Sequence, residues 1–202
     1  ACRVYNNTAA ITGGSQATRS VTVCNTLTGA RTIGFWQNKN GQGIITGGAA
    51  TAGVCNSTTF LRGFAPFSDL AANANCKAVG TYVTNIIKAA SAAGAAMNAM
   101  LKAQMLATAL NVYTSTTGLG GVVIDLTSVN KPIGSLIFEN ASSSFGPANS
   151  LTVSQMLVYA ASRSNVGGSV WYNQVKSGAN SQELAKDAFD AINNEVAWIA
   201  VP

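Results

Sequence analysis

Seven carboxylates, four cysteines and no histidine make up the reactive inventory of this 202-residue chain. Without histidine, the Ser-His-Asp and Cys-His systems that activate a nucleophile are closed, and so is any metal centre held by imidazole. A glycosidase-type carboxylate pair would have to be drawn from Asp69, Asp125, Glu139, Glu183, Asp187, Asp190 and Glu195. Glu183, Asp187 and Asp190 recur at spacings of four and three, which places them on one helix face. Such a run is ordinarily a solvated face rather than a cation site. Ser128-Val-Asn-Lys131 satisfies the Ser-x-x-Lys spacing, but it precedes Pro132 in a loop instead of opening a helix. The inventory therefore points away from an enzyme, with neither cofactor nor metal expected.

The cysteines carry a different chemistry. Cys2, Cys24, Cys55 and Cys76 form an even set without a Cys-x-x-Cys pair, which disfavours zinc and favours two disulfides. Of the three possible connectivities, Cys2–Cys24 with Cys55–Cys76 is preferred because each bond then closes a local loop. Each would contribute about 3 kcal/mol by restricting the unfolded chain. Disulfides imply an oxidising compartment, and a sequence opening on Ala1 with no basic-then-apolar leader reads as a mature product after removal of a targeting segment. The expected location is secreted, at the cell surface.

The adjacent Phe35 and Trp36 in "GFWQNKNGQG" admit two roles. They could form a carbohydrate platform, with Asn38, Asn40 and Gln42 supplying hydrogen bonds. Alternatively, Gly34 permits close backbone approach while both rings anchor the first helix in the core. The anchor is the favoured reading. Trp171, Tyr172 and Trp198 are the other aromatic candidates for a ligand platform.

These residues must be positioned by elements that the composition already constrains. Hydrophobic residues make up 48% of the chain, enough to build a core, whereas charged residues make up only 9%, far below the roughly 25% of ordinary soluble proteins. The net charge of +5 is uneven: eleven of the twelve Lys and Arg, but only three acids, precede residue 178. A basic body and an acidic last helix could dock head to tail, although a solvated helix face explains the same pattern. The basic residues lie singly and without aromatic interleaving, which argues against nucleic acid. The Ala-rich central region is interrupted by Lys88, Gly94, Asn98, Lys102 and Gln104, which argues against a membrane span.

The fold expected is mainly α: a helix-dominated single globular domain with an N-terminal disulfide-tied β-hairpin and minor β elements. Residues 2–5 and 18–24 flank the turn signal Gly13-Gly14, giving a hairpin extension over 1–30. The helical core domain spans 31–195, and an apolar tail spans 196–202. Within the core, a short helix is expected from Ile33 to about Ile45, followed by a loop-like region over 46–79 and a helix over 81–90. Residues 95–116 read as a central helix buried on most sides, because Met97, Leu101, Met105, Leu106, Leu110, Val112 and Tyr113 populate more than one face. "VVIDL" and "SLIFEN" are strand candidates. Thr152 and Gln155 form a capping box ahead of a helix, and the last helix should bury Leu184, Ala188, Ala191 and Ile192. The Asn-x-Ser/Thr sequons at Asn6, Asn56 and Asn140 are matches that a chain this rich in Asn, Ser and Thr produces by chance, and "TGLGG" reads as a helix stop rather than a phosphate loop.

Four motifs in order, "TIGFWQNKNGQGII", "KAQMLATALNVYTSTTGLGG", "ANSLTVSQMLVYA" and "WYN" followed by "SQELAKDAFDAIN", resemble a recurrent, functionally uncharacterised domain of secreted and surface-associated bacterial proteins. The resemblance covers about residues 30–195. It implies an extracellular setting, in adhesin-like or repeat-bearing polypeptides, and no catalytic residue. The leading functional expectation is a structural subunit of an extracellular filament, sheath or surface layer, a homo-polymer joined through its terminal extensions. In the tail, Val196, Trp198, Ile199 and Val201 are the candidate assembly residues. The alternative is an adhesive module binding a surface polysaccharide.

Overall fold

The computed structural model describes residues 2–10, 12–14, 16–24, 27–121, 124–126, 129–139, 141–172, 181–197 and 199–200, without the side chains of 2–5, 7, 21–24, 142, 143 and 200. Its axis is the expected central helix. Ala, Leu and Met alternate with Gln104, Thr108, Asn111 and Thr114 over Met97–Thr114 (α5 in chain order), so no face is strongly polar and none is left to solvent. Every residue from Ala103 to Ser115 is buried. Helices Ile33–Gln37 (α1), Asn56–Arg62 (α3), Cys76–Ala90 (α4), Val153–Ser162 (α7) and Ser181–Asn193 (α8) all pack against it, and Lys39–Thr46 (α2) lies across α1 and α4. The fold is mainly α, as composition and periodicity indicate.

The β structure is small. Cys2–Ala10 (β1) and Gln16–Cys24 (β2) form an antiparallel hairpin whose register sets Cys2 opposite Cys24. The turn passes through Gly13 at φ +80°, a conformation that favours glycine. Two cross-strand pairs are linked by side chains: Ser20 Oγ donates to Asn6 Oδ1 at 2.7 Å, and the Thr8 and Thr18 hydroxyls meet at 3.0 Å. The hairpin itself is therefore present, whereas the sulfur atoms of Cys2 and Cys24 lie outside the described residues. Ala50–Thr51 (β3) pairs with Val54–Cys55 (β4). Ile137–Glu139 (β5) lies between Ser150–Thr152 (β6) and Ile199–Ala200 (β7), both antiparallel to it. A single turn of helix, Ser142–Phe145 (α6), joins β5 to β6.

Local signals explain several boundaries and correct others. The helix expected over 33–45 is two helices, because Asn38 breaks the first and caps the second: its Oδ1 accepts from the N–H groups of Asn40 and Gly41 at 2.8 and 3.2 Å. The region 46–79 is not simply loop. It holds β3, β4 and α3, and a threonine-rich segment becomes helical there because Leu61 is fully buried and Thr58 Oγ1 donates to Ala74 O at 2.8 Å. Helix α4 begins at Cys76, ahead of the expected residue 81, with Asn75 Oδ1 accepting from Ala78 N at 2.9 Å. The Thr152–Gln155 capping box is formed in both directions. "SLIFEN" supplies β5. Residues 122 and 123 of "VVIDL" lie outside the described set, and Ile124 to Leu126 form no strand. Ile124 N instead donates to Thr114 O at 3.1 Å, and Gly29, at φ +79°, passes so close that a Cβ would sit 2.1 Å from Asp125 O.

Asp69 is part of a clamp. It accepts from the Tyr82 hydroxyl and pairs with Lys102 at 2.9 Å, while Lys102 Nζ also donates to Gly167 O at 2.9 Å. Partial burial raises the Asp69 carboxyl, but the Tyr82 hydrogen bond and the Lys102 charge outweigh it and hold the group below its ordinary 3.8. A depressed carboxylate contributes stability above its unfolded value that is lost as pH falls through the folded one. Acid denaturation of the parent should therefore include a component below pH about 4 that is missing in Asp69→Asn. Since Asp69 is well exposed, that component should amount to at most about 1 kcal/mol. Equal pH dependence of chemical denaturation in the two proteins would refute it.

Candidate functional site

The Phe35-Trp36 pair anchors the fold. Trp36 is fully buried, with its ring edge-on to Phe35 at 5.3 Å between centroids, and its Nε1 donates to Asn111 Oδ1 at 3.2 Å. A platform role for Trp36 is thereby excluded, and Phe35 is partly buried against the same core. The glycine that permits close approach is Gly41 rather than Gly34: a Cβ on Gly41 would lie 2.3 Å from Phe35 O, whereas one on Gly34 would meet only Thr32 Oγ1 at 3.7 Å.

Asn111 belongs to a buried polar network that periodicity did not reveal. Besides the indole, its Oδ1 accepts from Arg31 N at 2.9 Å, and its Nδ2 donates to Arg31 O at 2.9 Å and Asn193 Oδ1 at 3.0 Å. Asn193 Nδ2 donates in turn to the main-chain and side-chain oxygens of Gln104, both at 2.9 Å, and Gln104 Nε2 donates to Asp190 Oδ1 at 2.6 Å. Each amide is satisfied, so the network specifies the α1–α5–α8 packing. It also rotates α8 relative to the expected face. Gln182, Ala185, Phe189, Ile192 and Asn193 are buried, while Leu184, Ala188 and Ala191 are only partly covered. Glu183 and Asp187 face solvent, and Asp190 is drawn into the network.

The Cys55–Cys76 disulfide is formed, with an S–S distance of 1.98 Å, and it ties β4 to the first residue of α4. The tail is a correction. Ile199 is not a free donor for a neighbour, since β7 pairs with β5 of its own chain, Ile199 opposite Phe138. The apolar tail that suggested a donated strand supplies, at Ile199–Ala200, the third strand of the chain's own sheet instead. Val196 is 63% exposed; Trp198 and Val201 lie outside the described residues. So do Ser128, which leaves the Ser-x-x-Lys spacing without a described geometry, and Asn140. Among the described residues, no three of Cys, Asp and Glu come together as a metal site, and no helix is long and apolar enough to cross a membrane.

Chemistry of another kind gathers at the end of α7. A cleft of about 680 Å³ is lined by Ser144, Tyr159, Arg163, Ser164 and Tyr172, among others. Trp171 was a platform candidate, but it is fully buried beside the cleft, its Nε1 donating to Ala160 O at 2.8 Å. Tyr172 stands at φ +52°, a strained position for an aromatic residue, fixed by a bond from its N–H to Arg163 O and another from its hydroxyl to Ser144 O, both 3.0 Å. Burial, and secondarily Tyr159, pushes the Tyr172 phenol well above its ordinary range despite Arg163, so it stays a neutral donor. Arg163 lies over the Tyr159 ring at 4.7 Å and donates to its hydroxyl at 2.8 Å. The Ser144 hydroxyl is buried and has no hydrogen-bond partner among the described residues. Sequence analysis named only Tyr172 of this group. The spacing of four between Tyr159 and Arg163, which puts both on one side of α7, was the available signal.

Comparison with known families, with characterised proteins and with solved structures finds no match to this chain.

Proposed function

We propose that the protein is a non-catalytic structural subunit of an extracellular bacterial assembly, in which copies join through their terminal extensions. The observation that carries this reading is the hairpin. Its two nine-residue strands pair along their whole length, every described side chain on it is exposed, and among the described residues its extensive packing is of β1 on β2 alone. A lone two-stranded hairpin is marginal in water, and its outer edges present unpaired N–H and C=O groups to any complementary strand. The tail offers a complementary edge: β7 is the outermost strand of its sheet among the described residues. Addition of one copy's hairpin to the next copy's β7 is a heterologous contact, which propagates unless it closes into a ring. Low charge, the disulfide and the resemblance of the four motifs to those of surface-associated bacterial proteins support the same setting.

Removing residues 1–26 should leave the helical domain folded, with an unchanged helical circular dichroism spectrum, and convert an oligomer or filament into a monomer by light scattering and electron microscopy. If the truncated protein assembles as the parent does, or the parent is itself monomeric at high concentration, this reading fails. A second reading, an adhesive module that binds a surface polysaccharide, is supported by the polar cleft at Tyr159 and Arg163. Binding without assembly would favour it.

A further inference from the structure

We propose that the cleft between α6 and the end of α7 binds a carboxylate-bearing saccharide, with Arg163 as the partner of the carboxylate and the surrounding hydroxyl groups as partners of the sugar. The inference deepens the adhesive reading and is independent of assembly through the hairpin. Its first support is the sign of the site. Among the described lining residues, Arg163 is the one charged side chain and none is a carboxylate. Its guanidinium lies over Tyr159, 4.7 Å from the ring centre, and spends one N–H on the tyrosine hydroxyl. A guanidinium carries five N–H donors in a planar fork that matches a carboxylate, so most of that capacity remains.

The second support is the orphaned hydroxyl. Ser144 is buried to 6% exposure at the wall of the cleft, and its Oγ has no partner among the described residues. Leaving a buried hydroxyl unpaired is unfavourable, so a small shift of α6 that opens this oxygen to the cleft would let a ligand hydroxyl satisfy it. The third is the character of the remaining wall. Ser162 and Ser164 already donate their hydroxyl protons, to Tyr159 O at 2.6 Å and Asn165 O at 2.8 Å, which leaves their oxygens as acceptors for sugar O–H groups. The cleft volume lies within the roughly 300–1,000 Å³ typical of small-ligand sites. Finally, unusual backbone conformations shape the wall. Tyr172 is held at φ +52°, and Gly146, at φ +91°, lies where a Cβ would come within 3.0 Å of Tyr159 Cε2.

The test is calorimetric titration of the full chain with trigalacturonate at physiological salt, with uncharged trigalactose as control. Saturable binding of the acidic trisaccharide, at least about tenfold tighter than the neutral one, is expected from loss of one charge-assisted contact. Arg163→Gln should weaken binding about tenfold or more, and Arg163→Lys, which keeps the charge but loses the fork, should fall between. Ser144→Ala should weaken binding about threefold while leaving the melting temperature unchanged or higher, since it removes an unpaired buried group. Because the protein is basic overall, Lys77→Gln, an exposed change on α4, controls for diffuse attraction and should have no effect. Three outcomes would overturn the proposal: no binding of trigalacturonate, equal affinity for trigalactose, or equal loss in the Lys77 and Arg163 variants. None of them bears on the hairpin truncation, so the two proposals fail separately.

Discussion

Trp36→Ala is expected to destabilise the protein by about 3–5 kcal/mol, the usual consequence of emptying a large buried aromatic site. The cavity would open where α1 meets α5, and Asn111 Oδ1 would lose one of its two donors, the indole N–H at 3.2 Å. Trp36→Phe separates these effects, because it retains most of the packing and removes only the N–H. It should cost about 1–2 kcal/mol, near the value of one buried hydrogen bond plus a small volume change. Urea denaturation followed by circular dichroism measures both. A loss below about 1 kcal/mol for Trp36→Ala would show that the ring does not anchor the domain.

Asn111→Leu should be comparably severe, at about 3–5 kcal/mol, although the substitution keeps the number and branching of side-chain heavy atoms and raises hydrophobicity. Asn111 makes four hydrogen bonds: two accepted from Trp36 Nε1 and Arg31 N, and two donated to Arg31 O and Asn193 Oδ1. Leucine leaves the buried indole N–H and the Arg31 main chain without partners, and each orphaned group costs about 1–3 kcal/mol. The Trp36→Phe and Asn111→Leu effects should be less than additive, since each removes the same indole–amide bond. A double-mutant cycle with a coupling below about 0.5 kcal/mol would contradict the network. A stabilised Asn111→Leu protein would mean that the polar core is dispensable.

The helical character of the domain was legible because α5 repeats apolar residues on every face, and the Thr152–Gln155 box could be read directly from four letters. The hairpin was legible for a similar reason: Gly13-Gly14 sits midway between two β-prone segments. What was hidden depended on tertiary partners. α3 has no capping residue and a weak helix composition, and it forms because Leu61 and Thr58 are held from elsewhere in the chain. The face of α8 was misjudged because Asn193 and Gln182 are buried for hydrogen bonding, and a hydrophobicity pattern counts them as solvent-facing. The tail offered an apolar run without saying whose sheet it completes. The cleft was largely illegible. Its residues come from positions 144 to 181, and an unpartnered serine hydroxyl leaves no mark in a sequence rich in serine.

The Glu195 carboxylate has a mechanical consequence. Its Oε1 accepts from the N–H groups of Thr28 and Gly29 at 2.7 and 2.5 Å, so the point where the chain leaves the hairpin for the helical body is clasped to the point just after α8. Tension transmitted along the polypeptide would enter and leave the body at these neighbouring positions. The load would fall on the clasp and the nearby β5–β7 pair, while the helices around α5 hung beside the line of force as a pendant. Stretching single molecules from the two ends should thus show a small early rupture, abolished in Glu195→Ala, before the helical body yields.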